Sequence, residues 1–275
     1  MELTAKLKLL EKIIGREEKI MVCFSGGVDS SLLLFLCVKY LGPENVVALT
    51  LHSEASPPGE IDHCRSFAHR FGVEHLVLEY DILQIAEVAS GDARRCYFCK
   101  KGICLMARQE ADKRNIETIY EGSNCDDLSD YRPGYEAIKE YSLTSPFLEA
   151  KLNKQDIREA SRTFHLPTAE RPALACLVTR FPYGTRITHE ELRRVNACEA
   201  YLLGLGFQNF RVRCHGETAR LEVAPVDINR FCDPALRQKI VAHFKKEGFA
   251  FVALDLEGYR TGSLNRSLKG LKKTL

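Results

Sequence analysis

The sequence predicts an α/β fold, with a parallel sheet covered by helices on both faces and a smaller C-terminal α/β domain. Three observations point there. Short apolar runs alternate with helix-length segments through the first half, the pattern of a buried parallel sheet. The first run leads directly into a glycine-rich turn that opens an apolar helix. After about Pro146 the alternation stops and a different, shorter α/β pattern follows.

Residues 20–24, 45–51, 73–80 and 118–121 read as strands, and 28–41, 59–71 and 94–114 as helices. Ligands of such a sheet bind beyond the strand C-termini, near the point where the strand order reverses. In the second half, residues 151–164 read as a helix and 166–187 as an irregular stretch containing three prolines. Thr188 has the character of an N-cap, with Glu191 at the capping-box position of a helix reaching residue 203. Strands at 210–214 and 219–224 meet at a tight turn, His215-Gly216. A helix at 234–246 and a strand at 249–254 complete the unit, so two domains are expected, 1–150 and 151–275.

The chain has 275 residues, of which 45% are hydrophobic and 28% charged, and a net charge of only +2. This suits a soluble globular protein and gives no general reason to expect a nucleic-acid or membrane partner. Residues 32–38, the longest apolar run, are far too few to span a bilayer, and residues 1–19 lack a signal-peptide core. A cytoplasmic location is expected. In that reducing compartment the eleven cysteines should mostly pack as small apolar side chains and not pair as disulfides.

The sharpest local signal is Ser25-Gly26-Gly27-Val28-Asp29-Ser30-Ser31. Glycines let the backbone turn and approach a ligand closely. The amides of Val28, Asp29 and Ser30 would point from a helix N-terminus at an anion, and Ser25, Ser30 and Ser31 add hydroxyls. No lysine is present, so this is not a Walker loop. A ligand-free glycine turn is the bland alternative. His52, Ser53 and Glu54 end the second strand and would lie near a nucleotide held there, or form an ordinary polar loop.

Cys96 and Cys99 stand one helical turn apart among Arg94, Arg95, Lys100 and Lys101. Neighbouring cations should lower a thiol pKa. Such a pair can bind zinc, ligate an iron–sulfur cluster, act as a redox dithiol, or simply pack. No second Cys-x-x-Cys exists to complete a four-cysteine zinc site. Cys176 sits in a proline-bounded loop, residues 171–184, near Arg180 and Arg186. Arg211 and Arg213 share one strand face, and Arg260 follows Gly258-Tyr259; guanidinium groups pair bidentately with phosphate and carboxylate. Asp126 and Asp127 follow the fourth strand, where they could hold a metal, orient a ligand, or cap a helix.

SGGVDSS resembles the PP-loop of ATP pyrophosphatases. Taken in order, SGGVDSS, RRCYFCKK, GSNCDDLSDYRPG, RPALACLVTRFPYGTRIT and LDLEGYRTGSLN resemble the LarE family, the PP-loop ATP-dependent (sacrificial) sulfur transferases. The resemblance covers nearly the whole chain. It implies an adenine nucleotide α-hydrolase-like fold, with residues 1–150 as the ATP pyrophosphatase domain and 151–275 as the sulfur-transferase and substrate domain. The activity implied is adenylation of pyridinium-3,5-biscarboxylic acid mononucleotide and its conversion to a thiocarboxylate, in making the nickel-pincer nucleotide. ATP would be held by Ser25, Gly26, Gly27, Asp29, Ser30 and Ser31, with Asp29 helping to place Mg²⁺. The anionic substrate would meet Arg180, Arg211, Arg213 and Arg260, while Glu199 and Glu222 match acidic positions associated with metal. The family has two chemistries: Cys176 surrenders its own sulfur, or three cysteines carry a [4Fe-4S] cluster that delivers sulfide. Cys96, Cys99 and Cys176 are all present, which favours the cluster subtype. Homo-oligomers, often hexamers, are also implied. The competing readings are another PP-loop enzyme, such as a tRNA thiolase or an amide-forming synthetase. The near-zero net charge does not favour an RNA substrate.

Overall fold

The computed structural model describes residues 2–128, 134–172 and 175–260. In chain order the elements are α1 (Leu3–Ile14), β1 (Ile20–Cys23), α2 (Val28–Leu41), β2 (Val46–His52), α3 (Glu60–Arg70), β3 (Glu74–Glu79), α4 (Ala86–Ala89), α5 (Arg95–Lys113), β4 (Thr118–Tyr120), α6 (Gly134–Glu140), α7 (Pro146–Glu149), α8 (Lys154–Thr163), α9 (His189–Gly204), β5 (Phe210–His215), β6 (Thr218–Val223), α10 (Pro234–Lys246) and β7 (Phe251–Leu254). They form two compact units. One comprises Met1–Ser53, Gly59–Ile85 and Arg94–Leu174, and the other Glu54–Pro58, Ala86–Ala93 and Ala175–Leu275.

The first unit holds a four-stranded sheet in the order β3-β2-β1-β4. Every pairing is parallel, with Ile20 opposite both Val46 and Thr118. Side chains alternate across a strand, so β1 buries Ile20 and Val22 on one face and Met21 on the other. Leu10, Leu32, Leu36, Phe67 and Ile157 fill the first face, from α1, α2, α3 and α8. Cys104, Ala107 and Ala111 of α5 and Ile138 of α6 fill the second. This is why the strands read as continuous apolar runs. α8 lies beyond residue 150, yet it packs on α2 within this unit. Strand order reverses beside β1: the chain steps outward through β2 and β3, then returns as β4 on β1's other edge. The loops after β1 and β4 therefore meet at one place, the expected ligand position.

The second unit holds a three-stranded sheet, β5-β6-β7, with β5 and β6 antiparallel and β6 and β7 parallel. A two-residue turn, Gly216-Glu217, joins the first pair; Gly216 has φ +60°, which suits glycine. α9 packs on β5 and α10 on α9. The Thr188 capping box forms as expected, with Glu191 reaching back to the Thr188 amide at 3.1 Å.

Candidate functional site

The loop between β1 and α2 is built from its glycines outward. Gly26 has φ +67°, and a Cβ there would come within 2.8 Å of the Cys64 sulfur and 3.0 Å of the His63 ring. The positive φ and these close neighbours both favour glycine at this position. Gly27 is the extended N-cap of α2. Its position leaves the first amides of that helix without intrahelical partners, so they face an anion site with the positive end of the helix dipole behind them. Ser25 Oγ and Ser30 Oγ lie 3.2 Å apart, and Ser30 Oγ donates to the Gly27 carbonyl at 3.3 Å. Ser25 is exposed while Ser30 and Ser31 are buried, Ser31 completely.

Asp29 is half-buried in the first turn of α2 and carries two partners. Lys154 Nζ forms an ion pair with its Oδ2, and Asn124 Nδ2 donates to its Oδ1 at 3.3 Å. Asn124 comes from the loop after β4, where Gly122 lets the chain pass closely: a Cβ there would sit 3.2 Å from the Ser30 amide. Lys154 is the first residue of α8, which Asn153 caps through a complete capping box with Asp156. Asp126 accepts from the Lys154 amide at 2.9 Å, and Asp127 accepts from the Asn124 amide at 3.0 Å. Both acids thus accept from backbone amides around the loop. Sequence reasoning misses Lys154 and Asn124. Lys154 stands at what reads only as a helix start, and its distance from Asp29 along the chain gives no hint that the two meet.

Cys96 and Cys99 occupy the first turn and a half of α5; Cys96 is exposed and Cys99 half-buried. The expectation that nearby cations lower the Cys96 thiol is corrected. Although the residue as a whole is exposed, desolvation at its sulfur raises the thiol, and the Arg95 charge opposes this. The other cations are engaged elsewhere. Arg94 pairs with Glu136 at 3.0 Å and lies 4.5 Å above the Tyr97 ring, and Lys101 reaches Glu140 at 3.6 Å. Burial works against the Lys100 ammonium, but Glu121 and the neighbouring thiols outweigh it and raise its pKa.

In the second unit, Cys176 is half-buried and precedes a 3₁₀ turn, Leu177–Arg180. Its carbonyl accepts from the Thr179 amide at 3.0 Å and from Thr179 Oγ1 at 2.8 Å. Arg180, Arg211 and Arg213 are all buried. Arg180 grips Glu199 with two bonds, Nε at 2.6 Å and Nη2 at 3.0 Å, and the Val212 amide adds a third at 3.0 Å. Arg213 binds Glu222 at 2.7 Å and the Thr179 carbonyl at 2.7 Å. Arg220 takes the other Glu222 oxygen at 3.0 Å. Arg211 donates to the Tyr259 hydroxyl at 3.2 Å, its guanidinium 4.7 Å from the ring. Burial, and then the charges of Arg180 and Arg213, pull the Arg211 pKa down from its ordinary value. Glu199 and Glu222 are committed to arginines, so either would have to release a guanidinium to reach a metal.

Arg186 and Arg260 are exposed, and among the described residues Arg260 approaches Glu257 at 4.0 Å. Thr261 to Asn265, the end of the last motif, and residues 129–133 and 173–174 lie outside the described residues. Glu54 is held by His189 at 2.7 Å and Arg193 at 3.1 Å, both from α9, as part of the second unit. Among the described residues no cysteine forms a disulfide, no three His, Cys, Asp or Glu side chains are gathered as a metal site, and no helix is long and apolar enough to cross a membrane.

Residues 5–114 match the NAD synthase family. The chain is 36% identical over 266 residues to an uncharacterized protein of Synechocystis, covering 97% of this chain and 99% of that one. It is 32% identical over 251 residues to the pyridinium-3,5-bisthiocarboxylic acid mononucleotide synthase of Lactiplantibacillus plantarum, covering 91% of this chain and 90% of that protein. An NH(3)-dependent NAD(+) synthetase of Methanocaldococcus jannaschii is 28% identical over 134 residues, 42% of this chain and 51% of its own.

Proposed function

The chain belongs to the LarE family of PP-loop, ATP-using sulfur transferases, and from that premise we propose that it turns a carboxylate of pyridinium-3,5-biscarboxylic acid mononucleotide into a thiocarboxylate through an acyl adenylate. The observation that carries the reading is the glycine loop between β1 and α2, with Asp29, Asn124 and Lys154 assembled around it. The amides at the start of α2 donate to the β and γ phosphates of ATP in this reading. A substrate carboxylate oxygen attacks the α-phosphorus, the bond to the bridging oxygen breaks, and pyrophosphate leaves with its charge held by the loop. AMP stays on the substrate carbonyl.

Asp29 is the residue suited to Mg²⁺: it is a half-buried carboxylate in the first turn of α2, and its present partner, Lys154, is a long side chain that can be exchanged for one. Released from Asp29, the Lys154 ammonium can follow the pyrophosphate. The buried arginines of the second unit suit the phosphate and remaining carboxylate of the substrate. Glu199 and Glu222 serve this reading better as arginine partners than as metal ligands.

Sulfur must then replace the AMP-bearing oxygen. Cys96, Cys99 and Cys176 are thiols outside disulfides, none fully buried, and the first pair is one helical turn apart; the family resemblance makes these three the candidate thiolate set. They would hold a [4Fe-4S] cluster, which when bound supplies a sulfide to the adenylate. A homo-oligomer acting in the cytoplasm completes the reading.

Incubation with ATP and the dicarboxylate should release AMP and pyrophosphate only when both are present. ADP and orthophosphate as products would overturn it. Anaerobic iron and sulfide should load about four irons per chain, and any single Cys→Ala change at the three positions should lower that content. Iron-independent activity with loss of sulfur from Cys176 would instead establish the sacrificial route.

A further inference from the structure

The nucleotide loop is gripped from its back as well as its front. Arg171 Nη1 donates to the Gly26 carbonyl at 2.8 Å. Among the described residues Arg171 forms no ion pair with a carboxylate, and burial pulls its pKa down. Its own backbone is clamped in turn: Arg158 of α8 donates to the Ala169 carbonyl at 2.6 Å and to the Arg171 carbonyl at 3.2 Å. The same helix supplies Lys154 to Asp29. α8 therefore holds the loop at both ends.

The peptide between Gly26 and Gly27 is trans. In a trans peptide the C=O and N–H point in opposite directions. Arg171, on the carbonyl side, thus fixes the Gly27 N–H to point away from itself, on the side of the α2 N-terminus. A cation on the carbonyl also polarises the peptide and makes that N–H a stronger donor. Gly26, at φ +67°, has no side chain to bar its peptide from turning over, so this restraint has something to restrain.

Resting on the reading above, we propose that Arg171 is a positioning residue of the pyrophosphate site: it locks and polarises the Gly26–Gly27 peptide so that the Gly27 N–H is aimed at the β and γ phosphates. It acts through the backbone and need not touch ATP. The consequence is selective. Losing Arg171 weakens ligands that carry the pyrophosphate and spares those that do not.

The test is calorimetric titration of the full-length chain with ATP, inorganic pyrophosphate and AMP. Arg171→Gln should weaken ATP and pyrophosphate about tenfold, the scale of one charge-assisted bond, with AMP changed less than about twofold. Arg171→Lys should recover much of the loss, because an ammonium can still donate to the carbonyl. Arg158→Gln, which loosens the clamp, should show the same selectivity at about threefold, and serves if the first variant does not fold. Parallel weakening of ATP and AMP, or unchanged pyrophosphate affinity in all variants, would overturn the proposal. Variants that show the selectivity, beside a wild-type chain that forms no AMP with the dicarboxylate, would refute the sulfur-transfer reading and leave the role of Arg171 standing.

Discussion

Lys154 and Asp29 form an ion pair beside the glycine loop, and in the proposed reading each holds the other's charge until a nucleotide arrives. Lys154→Ala should lower the rate of AMP formation about 10- to 100-fold, the scale of one charge-assisted hydrogen bond to the leaving pyrophosphate. Steady-state AMP release checks this, and a change below about twofold would return Lys154 to the surface. His63 carries a pH signature. Burial, and then the Arg171 charge, lower its pKa from 6.5 to about 4, with Cys64 and the loop glycine beside it. A lowered histidine binds its proton more readily when unfolded, so its contribution to stability is fully present above pH 6.5 and is lost as pH falls toward about 4. His75 and His215 shift the same way through burial. Urea midpoints should therefore drop on acidification through that window, and His63→Gln should flatten part of the slope. Cys96 shows where residue reading fails: the cations adjacent in sequence go to Glu136, Glu140 and an aromatic ring, leaving packing to decide its thiol.

At the scale of elements, the capping boxes and the buried pair can be tested for stability. Asn153→Ala removes the cap of α8 and should cost about 1 kcal/mol, measured by denaturant unfolding. Glu199→Ala leaves Arg180 buried without its two bonds and the Val212 amide without its acceptor, so a loss of about 3–5 kcal/mol is expected. The large elements are legible in the sequence for a physical reason. β1, β2 and β4 are largely buried, so their residues are mostly apolar without alternation, and Thr188 with Glu191 marks a helix start by its own chemistry. α1 is not legible in the same way, because its charges mask a one-sided apolar stripe of Leu10, Ile13 and Ile14. The short α4, α6 and α7 are fixed by tertiary packing and carry little periodicity. The loop glycines and serines are legible since their function is local. Lys154, Asn124 and Arg171 are not, since they reach the loop only through the fold.

For the whole molecule, the two compact units divide the work in the proposed reading: ATP is cleaved in the first, and the second brings the buried arginines and Cys176. The short segments Glu54–Pro58 and Ala86–Ala93 leave the first unit's chain path to join the second, which no linear boundary near residue 150 could convey. The match to the NAD synthase family stops at residue 114, within the nucleotide half, whereas the similarity to the thiocarboxylate-forming relative runs through 91% of the chain. The chemistry after adenylation is therefore the discriminating question. The direct measurement is mass spectrometry of the small-molecule product after anaerobic incubation of the iron- and sulfide-loaded chain with ATP and the dicarboxylate mononucleotide. The account predicts a product in which sulfur has replaced a carboxylate oxygen, with one AMP and one pyrophosphate released per sulfur inserted. An amide product, or ATP consumption that leaves the dicarboxylate unchanged, would contradict it.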